Sequence, residues 1–120
     1  MKNVDILAIT EAYRNGTALK LPASVAWKRR LNMDKLFRAA ALINEALQEA
    51  REPYLDDAHS TAAEGGRQIR PEFVQEFTRA QSEILAQDTD IEVKKVPVDS
   101  LGDIELTDND MDTLAFMLED

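Results

Sequence analysis

The chain has 120 residues, is 44% hydrophobic and 31% charged, and carries a net charge of −9 with no cysteine. That length allows one domain, or one domain and a tail, and the apolar fraction is too high for a disordered chain. No run approaches the roughly 20 apolar residues of a spanning helix, and Asp5 and Glu11 bracket too short an apolar stretch for a signal peptide. The absence of cysteine excludes disulfides, thiolate chemistry and Cys-ligated zinc. A single histidine, His59, excludes most His-based metal sites and any His-pair mechanism.

The first predicted helix runs from about Asn3 to Arg14, with Ile6, Ile9 and Tyr13 on one face. Asn15-Gly16 supplies a left-handed stop, Thr17 to Leu21 reads as extended or irregular, and Pro22 fits the first turn of the next helix. In that second helix Met33, Leu36, Ala40, Ile43, Leu47, Ala50 and Tyr54 recur at alternating spacings of three and four. Such a heptad seam faces one partner helix, and Pro53 ends or kinks the helix. Residues 56–70 read as a long loop with Gly65-Gly66, either mobile or ordered by a partner. Pro71 opens a third helix in which Phe73, Phe77, Ala80 and Ile84 repeat the seam, so the two long helices are expected to pack as an antiparallel hairpin.

Beyond Gln87, Ile91-Glu-Val-Lys-Lys-Val-Pro-Val alternates and Ile104-Glu-Leu follows a turn, which predicts a two-stranded hairpin. Thr107 and Asp110 then form a capping box, with Leu106 and Met111 in the staple positions, and the last helix is expected over Asp108–Leu118. Met111, Leu114, Ala115 and Leu118 share one face of it, and Phe116 lies off that face. The expected fold is mainly α with a minor β part. An N-terminal helix and an antiparallel helical hairpin fill 1–88, and an acidic β-hairpin with a capped helix fills 89–120 and packs on the same domain.

Charge is divided along the chain. Residues 1–80 are nearly neutral, at net +1, while 81–120 hold twelve acids and only Lys94 and Lys95. The bases of the first part cluster between Lys20 and Arg38, with Asp34 the single acid among them. Three arrangements fit a polarised chain: opposite charges folded together, head-to-tail pairing of copies, or two different partners.

Each chemical motif has a plainer explanation beside it. Asp108-Asn-Asp-Met-Asp with Glu119 at the twelfth position has calcium-loop spacing, but Thr113 stands where that loop needs glycine, and the segment reads better as a capped helix. Asp56-Asp57 and His59-Ser60 are adjacent in sequence, whereas catalytic groups converge from separate elements. Gly65-Gly66-Arg67 lacks the end of a phosphate loop. Trp27-Lys28-Arg29-Arg30 suits phosphates in type, yet the net charge and the lack of a recognition helix favour a salt-bridged protein interface over nucleic acid. The acidic third permits mimicry of nucleic acid without requiring it. No catalytic, cofactor or metal residue is expected. The candidate partner-binding residues are Trp27, Lys28, Arg29, Arg30, Met111 and Phe116.

The chain also resembles a family of small uncharacterised phage and prophage proteins. The resemblance rests on Leu21-Pro22 leading into Ala26-Trp27-Lys28, Glu45, Glu49 and Arg51 on the long helix, and Glu76-Phe77 with Ile84-Leu85. It continues through Ile91-Glu-Val, Leu101-Gly-Asp-Ile-Glu-Leu-Thr and Leu114 to Glu119. It covers most of the chain as an order of elements and implies a phage-encoded protein without chemistry. The expected function is that of a virion structural or assembly component, binding itself or other phage proteins. The alternative is an acidic intracellular modulator of a host protein. The matching locations are the virion or the host cytoplasm, with no membrane partner and a homo-oligomer or larger assembly as the working state.

Overall fold

The computed structural model describes residues 1–16 and 18–119. Helix α1 (Asn3–Asn15) is followed by the long α2 (Ala23–Arg51) and a 3-10 turn at Glu52–Tyr54. Strands β1 (Ser60–Ala63) and β2 (Gly66–Ile69) come next, then α3 (Pro71–Leu85). The chain ends with β3 (Val96–Pro97), a 3-10 turn at Val98–Leu101, α4 (Asp108–Leu114), a further 3-10 turn and β4 (Leu118–Glu119). The fold is mainly helical, as the apolar periodicities predict.

In α1 the buried residues are Asn3, Ile6 and Thr10, so the inward face centres on these three, with the half-buried Ile9 and Tyr13 along one edge. The helix does not stop through a left-handed residue, because Gly16 has φ −80°. Glycine is favoured there by space: a Cβ would lie 3.0 Å from the Ala12 carbonyl oxygen. The extended stretch expected from Thr17 begins outside the described residues, and 18–22 is irregular.

Helix α2 is about 43 Å long at 1.5 Å per residue and is the spine of the molecule. Its seam residues Met33, Leu36, Ala40 and Ile43 are buried, and Leu47, Ala50 and Tyr54 are half-buried. Helix α3 runs antiparallel to the C-terminal half of α2. The Tyr54 and Phe77 rings meet edge to face at 5.5 Å, Gln81 Nε2 donates to the Leu47 carbonyl at 3.1 Å, and Ile84 packs on the cluster around Ile43. Helix α1 covers the N-terminal half in the same antiparallel sense, with Ile6 on Leu36 and Ala40 and Tyr13 against Phe37.

The two shorter helices therefore follow one another along α2, and α3 ends where α1 begins. Asn3 joins them: its Nδ2 donates to the Ile84 carbonyl at 2.8 Å and its backbone N–H to the Gln87 carbonyl at 2.9 Å. Its Oδ1 accepts from the Thr89 hydroxyl at 2.6 Å. A buried amide thus satisfies carbonyls that the end of α3 leaves open, while the opposed dipole ends of the two helices meet.

The β-structure lies elsewhere than the alternation predicts. The antiparallel hairpin is β1–β2, with Ser60 opposite Ile69 and Ala63 opposite Gly66, inside the segment read as a loop. Ser60-Thr-Ala-Ala has little β-propensity, and the turn works because Gly65 takes φ 81° and Gly66 φ 145°. Ile91 to Lys95 forms no strand. Instead, the fully buried Asn32 of α2 accepts the Lys94 N–H at 2.7 Å and donates to the Lys94 carbonyl at 2.8 Å, one side chain standing in for a neighbouring strand. Ile104 to Leu106 is irregular, and the short β3 pairs in parallel with β4.

Helix α4 carries the predicted capping box: the Thr107 hydroxyl accepts the Asp110 N–H and the Asp110 carboxylate accepts the Thr107 N–H, both at 3.1 Å. It ends at Leu114 instead of Leu118, and the tighter turn at 115–117 changes the direction of the side chains that follow.

Two apolar clusters result. The first holds Ile6, Met33, Leu36, Ala40 and Ile43; the second holds Val25, Val96, Leu101, Leu114 and Met117, and Phe116 packs against both. The molecule measures 58 × 29 × 19 Å with a radius of gyration of 18.5 Å, against about 14 Å for a compact chain of this size.

Candidate interaction surface

The last third of the chain returns along α2 toward its start, so the acidic segment and the basic run come to the same end of the molecule. Val96, Leu101, Leu114 and Met117 close over Val25, with Leu19 and Leu21 at the edge of the cluster. Between Val96 and Glu119 there is no lysine or arginine, and Asp103, Glu105, Asp108 and Asp112 are all exposed. Within one chain the fold thus makes the oppositely charged regions neighbours.

The six candidate residues separate into two groups. Trp27 is 62% exposed, and Lys28 and Arg30 are exposed. Among the described residues neither cation forms an ion pair. Arg29 is half-buried, with its guanidinium 4.8 Å from the centre of the Tyr13 ring. Burial pulls its pKa down, while Tyr13 and Asp110 act in the opposite direction. Its buried Nε has no hydrogen-bond partner among the described residues. Arg29 is therefore a tie between α1 and α2 as well as a surface cation. Met111 packs on the second cluster and Phe116 between the two, so both are held by their own chain. The 3-10 turn after Leu114 is what brings Phe116 inward, and a helix continued to Leu118 would have left it off the buried face.

A groove of about 840 Å³ opens beside Trp27, between the end of α1 and the first turns of α2. Tyr13, Leu19, Leu21 and Trp27 form its apolar walls and Arg29 and Arg30 its charge. Gly16, Ala18, Ala23 and Ala26 leave the room that larger side chains would fill. Among the described residues no acid lines it. The groove is a concave, cationic surface with an exposed indole. Its apolar walls were not legible, because Leu19 and Leu21 read as part of a connection and Tyr13 as a core residue. Asn32 is not marked in the sequence either, because α2 also carries the amides Asn44 and Gln48, both exposed.

At the opposite end of α2 the chemistry-bearing residues hold the β1–β2 hairpin. The Ser60 hydroxyl donates to the Asp56 carbonyl at 2.8 Å and accepts from Arg67 Nε at 2.7 Å. Arg67 also reaches Asp57 at 2.6 Å. His59 Nδ1 lies 2.6 Å from Asp56 Oδ1, and its ring sits between Tyr54 and Phe73. The hydrogen bond from His59 holds the Asp56 carboxyl below the usual carboxylate range. Desolvation holds the Tyr54 phenol above its ordinary value, and the neighbouring Glu76 adds to the effect. These contacts order the segment from within. Around the calcium-like spacing, the Asp110 carboxylate is engaged by the Thr107 N–H and Glu119 lies in β4. Among the described residues no three acidic or histidine side chains are placed to hold a metal ion, and no helix is long and apolar enough to cross a membrane.

No protein-family model, curated protein or solved structure matches the chain.

Proposed function

We propose that this protein acts by binding other protein chains, as a structural or assembly component of a phage particle, and performs no chemistry. The observation that carries the reading is the Trp27 end of α2. An exposed indole with Arg29 and Arg30 there borders a large groove that no acid lines among the described residues. Aromatic and arginine side chains are the groups that dominate protein interfaces, and leaving Trp27 in water serves no purpose in the fold. The elongated shape also suits a component that spans or spaces neighbours. The phage assignment rests on the resemblance set out from the sequence. A second reading, an intracellular modulator of a host protein, is favoured by one feature: the exposed acids between Val96 and Glu119 with no base among them.

Light scattering on the purified protein at low and high salt tests the proposal. The expected result is a defined species heavier than the 13.5 kDa of one chain, loosened by salt because exposed charges are screened. A monomer indifferent to salt would count against assembly and direct the search to a host target.

A further inference from the structure

The groove and the acidic segment meet at one end of the molecule, which has a consequence for how copies can associate. Leu19 and Leu21 line the groove on one side and pack on the second apolar cluster on the other. Arg29 lines the groove and lies close enough to Asp110 to feel its charge. The cationic concavity and the acidic cap formed by 103–112 therefore share a border. Two complementary patches side by side on one surface satisfy the requirement for an isologous contact, in which each patch of one copy meets the other patch of its twin. Complementary patches at opposite ends would instead generate an open chain of copies.

From this we propose that two copies pair end to end about a two-fold axis, the acidic cap of each seated over the Trp27–Arg30 groove of the other. The inference rests on the assembly reading above and names its first partner, a second copy of this chain. Charge decides the occupant: the groove contains Arg29 and Arg30 and, among the described residues, no acid, while 96–119 contains exposed Glu105, Asp108 and Asp112 and no base. The pairing also gives cover to a large apolar group that the single chain leaves in water, Trp27 at 62% exposure. The long axis of the pair is roughly double the 58 Å of one copy.

Charge reversal and mixing test the arrangement. One variant carries Lys28→Glu with Arg30→Glu, and the other carries Glu105→Lys with Asp112→Lys; all four positions are exposed, and circular dichroism checks that each variant is folded. Each variant alone is expected to lose dimer affinity on the order of ten-fold or more, because like charges then face each other across both halves of the contact. Mixed in equal amounts they are expected to regain it, since both halves become complementary again. The one tryptophan, Trp27, reports the same event by a blue shift of its emission, and X-ray scattering reports the lengthened particle. If the unaltered protein assembles but mixing restores nothing, or the Trp27 emission does not move, the end-to-end pair is wrong and assembly by another face, such as the one carrying exposed Leu42, takes its place. If the protein is a monomer at every concentration and salt, both the pair and self-assembly fail, and the groove belongs to a different chain.

Discussion

Asn32 has the most demanding position of any residue in the chain. It is fully buried and serves both the N–H and the carbonyl of Lys94, so it fastens the returning segment to α2. Asn32→Ala is expected to cost about 1–3 kcal/mol, because it strands two backbone groups beside an apolar core. Asn32→Asp keeps the acceptor for the Lys94 N–H but places a carboxylate against the Lys94 carbonyl, and is expected to be worse than alanine. Urea denaturation of the two variants checks the order. Trp27→Ala is the contrasting case: the side chain is largely in water, so stability is expected to change by no more than about 0.5 kcal/mol, while assembly is weakened. Asp56 gives a pH signature. Its pKa is depressed in the fold by His59, so its contribution is present above the ordinary carboxylate value of about 3.9 and is lost as pH falls through the lower folded value. In Asp56→Asn that part of the acid limb is expected to disappear from the stability profile of the hairpin.

Among the elements, what was legible in the sequence followed the chemistry that stays local. The four helices appear in the Ile6, Ile9 and Tyr13 spacing, in the Met33-to-Tyr54 seam, in first-turn Pro71 and in the Thr107–Asp110 box, since a helix advertises its buried face every three or four residues. The hairpin at 60–69 is hidden because its strands are small and polar. It is held by Ser60, Arg67 and the two glycines, none of which marks a strand. Gly65→Ala, which puts a side chain at φ 81°, is expected to cost about 1–2 kcal/mol locally, seen as faster amide exchange in 60–69. The run from Ile91 misleads for the opposite reason: its alternation is real, but one helical amide takes the place of the partner strand. Phe116 shows a third limit. Whether it faces in or out depends on where α4 stops, and element ends are the least determined feature of a periodicity. The candidate site was legible in part. The Trp27–Arg30 run is plain in the sequence, whereas the groove beside it depends on Tyr13, Leu19 and Leu21 being brought together by the fold.

At the scale of the molecule, the elongated shape follows from one helix of 29 residues with shorter helices laid along it in series. A globule would have stacked α1 and α3 side by side; here they abut through Asn3. Leu36→Ala, at the centre of the first cluster, is expected to cost about 2–5 kcal/mol and to loosen α1 and α2 together. An equal truncation of Phe77, half-buried at the far end, is expected to cost less and to leave the second cluster intact.

That difference follows from the uneven distribution of the core along the spine. Beyond Ile43 no hydrophobic side chain among the described residues of the hairpin end is fully buried; α3 has none at all, and Ser60 is the single buried residue there. Cooperativity is therefore graded along the long axis. Hydrogen exchange and limited proteolysis should find the segment from Glu52 to about Arg79 opening at a fraction of the global free energy, while the end bearing Trp27 stays closed. One end of the protein can thus yield and adapt without releasing whatever the other end holds.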